Sequence, residues 1–253
     1  MAATLADVAR HAGVAASTVS YVLSGKRSVS AATRRRVERS IELLDYHPHA
    51  GARALASNRS NIIALVVPLR GDLYVPVMME IAIAVTTTAR RFGYDVLLLT
   101  NDEGPGGIRR VAVSARADAM ILMDVSMADE RIPMLRETGI DAVLIGVPTD
   151  TAGLACVDLD FAAAGELCVE HLAGLGHREV AFIGEGPAVY QRRSGFAERT
   201  APHLTSVAIP AEDMGRRAVE MLTRRLADGA ASEVALLPPE LTVRGSTGRA
   251  PAS

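Results

Sequence analysis

The sequence predicts an α/β protein in which a short all-helical head precedes a larger body built on a parallel sheet. Three observations carry that expectation. Residues 4–25, TLADVARHAGVAASTVSYVLSG, hold two short segments of helical periodicity separated by one glycine-containing turn. From Asn61 onward, continuous apolar runs of strand length alternate with helical stretches, the pattern of strands covered on both faces. The charge is also uneven: residues 1–60 contain nine Lys and Arg against four acids, a net +5, which leaves the rest of the chain at −7 within a total of −2. A basic head on an acidic body points to a polyanion as the partner of the head.

Composition narrows the class further. With 49% hydrophobic and 22% charged residues, the 253-residue chain has material for one or two sizeable cores and lacks the bias of disordered or fibrous proteins. Apolar runs such as NIIALVVPL are far shorter than the roughly 20 residues of a membrane-spanning helix. The N-terminus also lacks the apolar stretch of an export signal, so a cytoplasmic protein with no membrane partner is expected. Cys156 and Cys168, twelve residues apart with no CxxC and no neighbouring histidine pattern, are expected as buried free thiols.

In the head, Thr4 with Asp7 three positions on is a capping box, and Leu5, Val8, Ala9 and Ala12 share one face of a first helix that Gly13 ends. Ala15, Thr18, Val19, Val22 and Leu23 form the expected inward stripe of a second helix, stopped by Gly25. After the basic loop GKRS, Ser30 caps a third helix whose Val37, Ile41 and Leu44 close the core. Three short helices with a tight first turn match a helix-turn-helix unit, whose second helix enters the major groove of DNA. The outward positions of that helix, Ala16, Ser17, Ser20 and Tyr21, are short enough for close approach, and Ser17 and Tyr21 offer hydrogen bonds to base edges or phosphates. Any small three-helix unit also shows a polar outer face, so this pattern alone does not decide the matter. The stretch HPHAGARALASNRS, residues 47–60, adds a short Ala- and Gly-rich helix that is marginal in water, around one large apolar residue, Leu55, which a mere linker would not need.

Residues 4–57 resemble the DNA-binding head and hinge of the lactose repressor and galactose repressor (LacI/GalR) family of bacterial transcription regulators. The resemblance runs in order through T-L-x-D-V-A, A-G-V, S-T-V-S, V-S, T-R-x-x-V, Tyr46, Pro48 and the A-x-x-L-A hinge. It implies a DNA-facing set of Thr4, Leu5, Ala15, Ala16, Ser17, Ser20, Tyr21, Ser30, Thr33, His49, Ala52 and Leu55. It also implies that two subunits pair their hinge helices in the minor groove, with Leu55 wedged into a base step. His49 stands where many members carry Asn, and Tyr21 where several carry Arg, so the operator sequence does not transfer from relatives.

In the body, buried strands are expected at 62–67, 95–100, 119–123, 142–146 and 179–184, separated by helices such as 76–92 and 162–173. Ligands of such sheets bind outside the carboxyl ends of the strands. GYDVLLLTNDE, VDLDFAAAGELCVEHLAGLGHREVAFIGEG and RRSGF resemble the periplasmic-binding-protein-like effector domain of the same family. That likeness implies effector contacts at Tyr74, Asp160 and Arg192, although Phe161 stands after Asp160 where relatives usually have a polar residue. The implied domains are a head over 1–47, a hinge over 48–59 and an effector-binding and dimerisation domain over 60–253. The implied partners are operator duplex, a sugar-like or nucleoside-like effector and a second copy of the chain, with no cofactor.

The second lobe of that domain looks incomplete. After RRSGFAERT the family continues with several strand–helix units, whereas here APHLTSVAIP follows at once, resembling the later crossover. AEDMGRRAVEMLTRRLADG then resembles the following helix and LLPPELTVRGSTG the terminal strand. Roughly 80 residues are absent relative to typical domain sizes. Either the protein has an internal deletion near Thr200 and Ala201, or its full chain is longer than this sequence.

Catalysis is not expected. There is no GxSxG or HExxH, and LSGKRS has no glycine five residues earlier to make a Walker loop. EGPGGIRR, residues 103–110, reads better as a solvated turn than as a phosphate cradle, and His177 better as a structural hydrogen-bonding group than as a base. Of Asp158 and Asp160, helix capping explains at least one. The competing function, a solute-binding module with an incidental basic head, would be favoured by an export signal.

Overall fold

The computed structural model describes residues 3–24, 27–46, 59–67, 75–100, 104–181 and 204–250. The chain forms two compact units, one containing Met1–Asn61 and the other built from Ile62–Ser114 and Asp118–Ser253.

The first unit holds α1 (Leu5–Ala12), α2 (Ala16–Ser24) and α3 (Ala31–Leu43). Thr4 and Asp7 close the expected capping box: Asp7 N–H donates to Thr4 Oγ1 at 3.3 Å and Thr4 N–H to Asp7 Oδ2 at 3.0 Å. Gly13 ends α1 in the left-handed region at φ 61°, where a Cβ would be disfavoured. Val8, Ala9, Ala12, Val19, Val22, Val37 and Tyr46 make the core. His11 on α1 reaches Ser40 on α3 at 2.9 Å, and the Ser40 hydroxyl itself donates to Arg36 O at 2.8 Å. With that proton committed, the Ser40 oxygen is left to accept from His11 Nδ1.

The inward stripe of α2 is narrower than the periodicity suggested. Val19 and Val22 are buried, but Ala15 and Leu23 are exposed and Thr18 is half-buried. Ala15 sits just before the helix, where its carbonyl accepts from Thr18 and Val19 N–H and its methyl points away from the core. Tyr46, 3% exposed, joins the core, with Ile41 and Leu44 packed partly against it. The Gly25 stop lies outside the described residues.

The second unit is a six-stranded, wholly parallel sheet in the order β2-β1-β3-β4-β5-β7. Its strands are β1 (Ile62–Val67), β2 (Asp95–Thr100), β3 (Ala119–Leu122), β4 (Asp141–Ile145), β5 (Ala155–Leu159) and β7 (Val234–Leu237). The helices are α4 (Val75–Arg91), α5 (Gly104–Val113), α6 (Arg131–Thr138), α7 (Phe161–Gly174) and α8 (Ala211–Asp228). Ile63, Leu65 and Val67 share a cluster with Ile81 and Val85 of α4 and Val219 and Leu222 of α8, so these helices cover one face. Alternation turns Ala64 and Val66 to the other face. α5 and α6 pack together with Ile108, Val111, Ile132 and Leu135 buried, as covering a second face requires. Full burial of each such side chain contributes about 1.5–3 kcal/mol.

Several expectations need correction. β5 was not anticipated as a strand, although ACVDL is apolar and strand-length. The strand expected at 179–184 is not formed over its described part, 179–181, and Val180 is 53% exposed. No described strand pairs with that segment, and an unpaired backbone has no ladder to hold it extended. The terminal strand is two: β7 joins the main sheet, and β8 (Glu240–Thr242) pairs antiparallel with β6 (Ser206–Ala208). Pro238 and Pro239 lie between β7 and β8, and each lacks an N–H for a continuing ladder. The glycines of 104–107 form the first turn of α5, not a solvated turn. Among the described residues no helix is long and apolar enough to cross a membrane.

Candidate nucleic-acid interface and ligand cleft

The outer surface of α2 is built from Ala16 and Ser17, both exposed, and Ser20 and Tyr21, both half-buried. No carboxylate occurs in α2, so nothing on this helix repels a phosphate. Arg34, Arg35, Arg36 and Arg39 are all exposed on α3. The Arg27 guanidinium lies 5.3 Å from the centre of the Tyr21 ring, a cation–π contact.

Other residues expected to face DNA also have local tasks. The Thr4 hydroxyl donates to Asp7 Oδ2 at 2.6 Å, and that bond, with the one from Thr4 N–H, holds the Asp7 carboxyl below its ordinary range. Ser30 Oγ accepts from Thr33 N–H at 3.2 Å as the cap of α3, and the two hydroxyls are 2.9 Å apart. Leu5 packs partly against the head core. His49, Ala52 and Leu55 lie outside the described residues. Sequence reasoning counted Arg27 only as loop charge; its stacking has no signal in local periodicity.

In the second unit, a cleft of about 1520 Å³ runs between α7 and the β5–β7 side of the sheet and reaches the carboxyl ends of β4 and β5 through Val147, Asp158 and Asp160; such strand ends are where a parallel sheet is expected to take its ligand. Asp160 lines it, and its Oδ1 accepts from Ala163 N–H at 3.0 Å as the cap of α7. Tyr74 and Arg192 lie outside the described residues. Asp158 also lines the cleft; burial pushes its carboxyl above the usual range, against the opposing hydrogen bonds from the Leu159 and Val147 N–H groups. The walls are mostly apolar, with Phe161, Val169 and Leu236 each more than half exposed.

The loop after β3 forms one rim of the cleft through Ser126 and Met127 and is fastened by a buried ion pair. Arg131 Nε donates to Asp129 Oδ1 at 2.8 Å and Nη2 to Asp129 Oδ2 at 2.6 Å; the two side chains are 4% and 5% exposed. Nη2 also donates to the carbonyls of Met123 and Asp124, and Asp129 accepts from Ser126 N–H. Burial alone would raise the Asp129 carboxyl, but the bonds from Arg131 more than offset it and leave it lowered. Sequence spacing did not single out this pair.

His177 is bound structurally, its Nε2 lying 3.0 Å from Gly248 O. Cys156 is buried and Cys168 half-buried, both as thiols; burial first, and then Asp158, push the Cys156 thiol up to about 11. Among the described residues no His, Cys, Asp and Glu cluster could hold a metal.

The profile of bacterial regulatory proteins of the lacI family matches residues 4–49, and that of periplasmic binding proteins and the sugar binding domain of the LacI family matches residues 60–210. The chain belongs to the LacI family. A periplasmic binding protein-like profile also covers residues 193–247. Catabolite control protein A of Staphylococcus xylosus is 28% identical over 187 residues, which are 73% of this chain and 56% of that one. The Priestia megaterium protein of the same name is 27% identical over 219 residues, 84% of this chain and 64% of that one. The chain thus spans between half and two thirds of the length of those relatives. Among solved structures, the lac repressor dimer bound to operator and the anti-inducer ONPF has a TM-score of 0.75 at 20% identity, covering 98% of this chain and all of that one. A cellobiose complex of the transcriptional regulator CelR has a TM-score of 0.65 at 23% identity, covering 97% of this chain and all of that one. These two likenesses are of fold.

Proposed function

We propose that this LacI-family protein is a cytoplasmic, non-catalytic transcriptional regulator, a repressor, that binds a pseudo-palindromic operator as a homodimer. The observation that carries the reading is the head: a compact helix-turn-helix core presents a carboxylate-free α2 surface of small and polar side chains, within a segment of net charge +5. Short recognition helices read a few base pairs each, so two copies supply the length of a specific site. An apolar stripe on α4 supports the second copy: Val75, Met79 and Ile83 recur at i, i+4 and i+8 and are each about half exposed, as is Leu98 on the edge strand β2.

The cleft at the carboxyl ends of β4 and β5 takes the effector, a sugar-like or nucleoside-like molecule touching Asp160, with Tyr74 and Arg192 as further contacts. A ligand shifts DNA affinity only by binding one arrangement of the protein better than another. A chain confirmed by intact mass to end at 253 residues has too little of a second lobe for that discrimination, and it shows weak or no effector response.

Fluorescence anisotropy of the full chain on labelled duplex tests the central reading. Affinity falls by about 10³-fold or more between 50 and 200 mM salt if six or more phosphates are contacted. Binding indifferent to salt contradicts it.

A further inference from the structure

We infer that Arg27 and Tyr21 work as a single reading unit, in which the tyrosine ring holds the arginine fork against the edge of a guanine in the major groove. The inference rests on the DNA-binding reading above and names a specificity-determining residue within it.

The outward surface of α2 lacks reach. Ala16 offers no hydrogen bond, Ser17 and Ser20 offer one short hydroxyl each, and no Lys, Arg, Asn or Gln occurs anywhere in α2. Yet the bidentate contacts that separate one base pair from another are made by such long, forked side chains. Tyr21 is the exception in size, and it lies four residues after Ser17, so the two share a face. Against its ring stands the guanidinium of Arg27, delivered from the segment between α2 and α3. A fork is therefore brought to the recognition surface from outside the recognition helix.

Its chemistry is unspent. Arg27 is exposed, and among the described residues it makes no ion pair and no hydrogen bond. A guanidinium on a ring face keeps its N–H groups in its own plane, free for an acceptor pair such as guanine O6 and N7. Stacking also orders a long side chain before DNA arrives, so less conformational freedom is lost on binding. The neighbouring phosphate is the competing target, and it would give affinity without sequence preference.

The test selects operators from a library of randomised half-sites with the full-length chain, then measures affinity for the selected duplex and for one with the preferred guanine exchanged. The expected wild-type result is one guanine per half-site whose exchange weakens binding by about tenfold or more. Arg27→Ala and Tyr21→Leu each abolish that preference, the double variant loses no more than either, and Tyr21→Phe, which keeps the ring, retains it. In the DNA-free chain, the Arg27 side-chain proton resonances are shifted by the ring current and return to ordinary positions in Tyr21→Leu. Equal loss on every duplex with a shallower salt dependence assigns Arg27 to phosphate and overturns the inference; so do additive losses, or resonances that Tyr21→Leu leaves in place. A wild-type chain that selects no sequence defeats the DNA-binding reading itself, whatever the resonances show.

Discussion

Arg131 and Asp129 form a clip whose two halves are unequal in what they leave behind. Replacing Arg131 with Met strands a carboxylate 5% exposed to solvent, together with carbonyls of Met123 and Asp124 that lose a donor. Breaking a buried pair in this way costs about 3–5 kcal/mol, which denaturant unfolding reads directly. The pH dependence has a definite sign. Because the folded Asp129 carboxyl lies below its unfolded value of 3.8, its stabilisation is complete above that value and is lost as pH falls through the lower folded one. Arg131→Met therefore removes part of the acid-side decline of the native protein below about pH 4. Asp158 behaves oppositely. Its folded pKa is raised by burial, so the ionised form costs stability, and the loss accrues as pH rises through the unfolded and then the folded value. Asp158→Asn carries no charge at any pH, so it loses less stability than the native chain between about pH 3 and pH 7; a variant with the same pH dependence as the native chain contradicts this. Neither prediction was available from sequence. Asp158 was noticed there only as half of an acid pair, and its burial depends on strands 155–159 and 234–237 pairing across about 80 residues of chain.

At the scale of elements, local chemistry was legible wherever a short-range rule governs. The Thr4–Asp7 box, the Gly13 stop and the Ser30 cap sit where hydrogen-bond spacing placed them, and of the pair Asp158 and Asp160, expected to supply at least one cap, Asp160 does so. What failed depended on partners distant in sequence. The stretch 179–184 has the composition of a buried strand, but its described part, 179–181, has no described neighbour to pair with. LLPPELTVRGSTG read as one terminal strand across Pro238–Pro239, and only the sheet shows that β7 and β8 are separate and join different partners. Among the described helices the α4–α8 contact is the most extensive, and it depends on a glycine that periodicity treats as a helix weakener. A Cβ at Gly215 would stand 2.7 Å from both Ala84 Cβ and Ile81 O. Gly215→Ala forces the helices apart and destabilises the second unit by about 1–3 kcal/mol despite the better helix propensity of alanine. An unchanged unfolding midpoint would show that the helices accommodate the methyl group.

For the whole molecule, the sequence made the head more legible than the body because the head is local. Its core is closed within residues 8–46, so short-range rules shape it. The ligand site proposed for the body is a cleft whose walls come from distant segments, and two of its three expected contacts, Tyr74 and Arg192, lie outside the described residues. On the proposed function, this LacI-family chain reads a specific operator with two heads at once. The most direct measurement is a hydroxyl-radical footprint of the full-length protein on a duplex selected from random sequence. Two symmetric protected half-sites, with centres about one helical turn apart, are predicted. A single isolated half-site, or uniform protection without sequence preference, would contradict it.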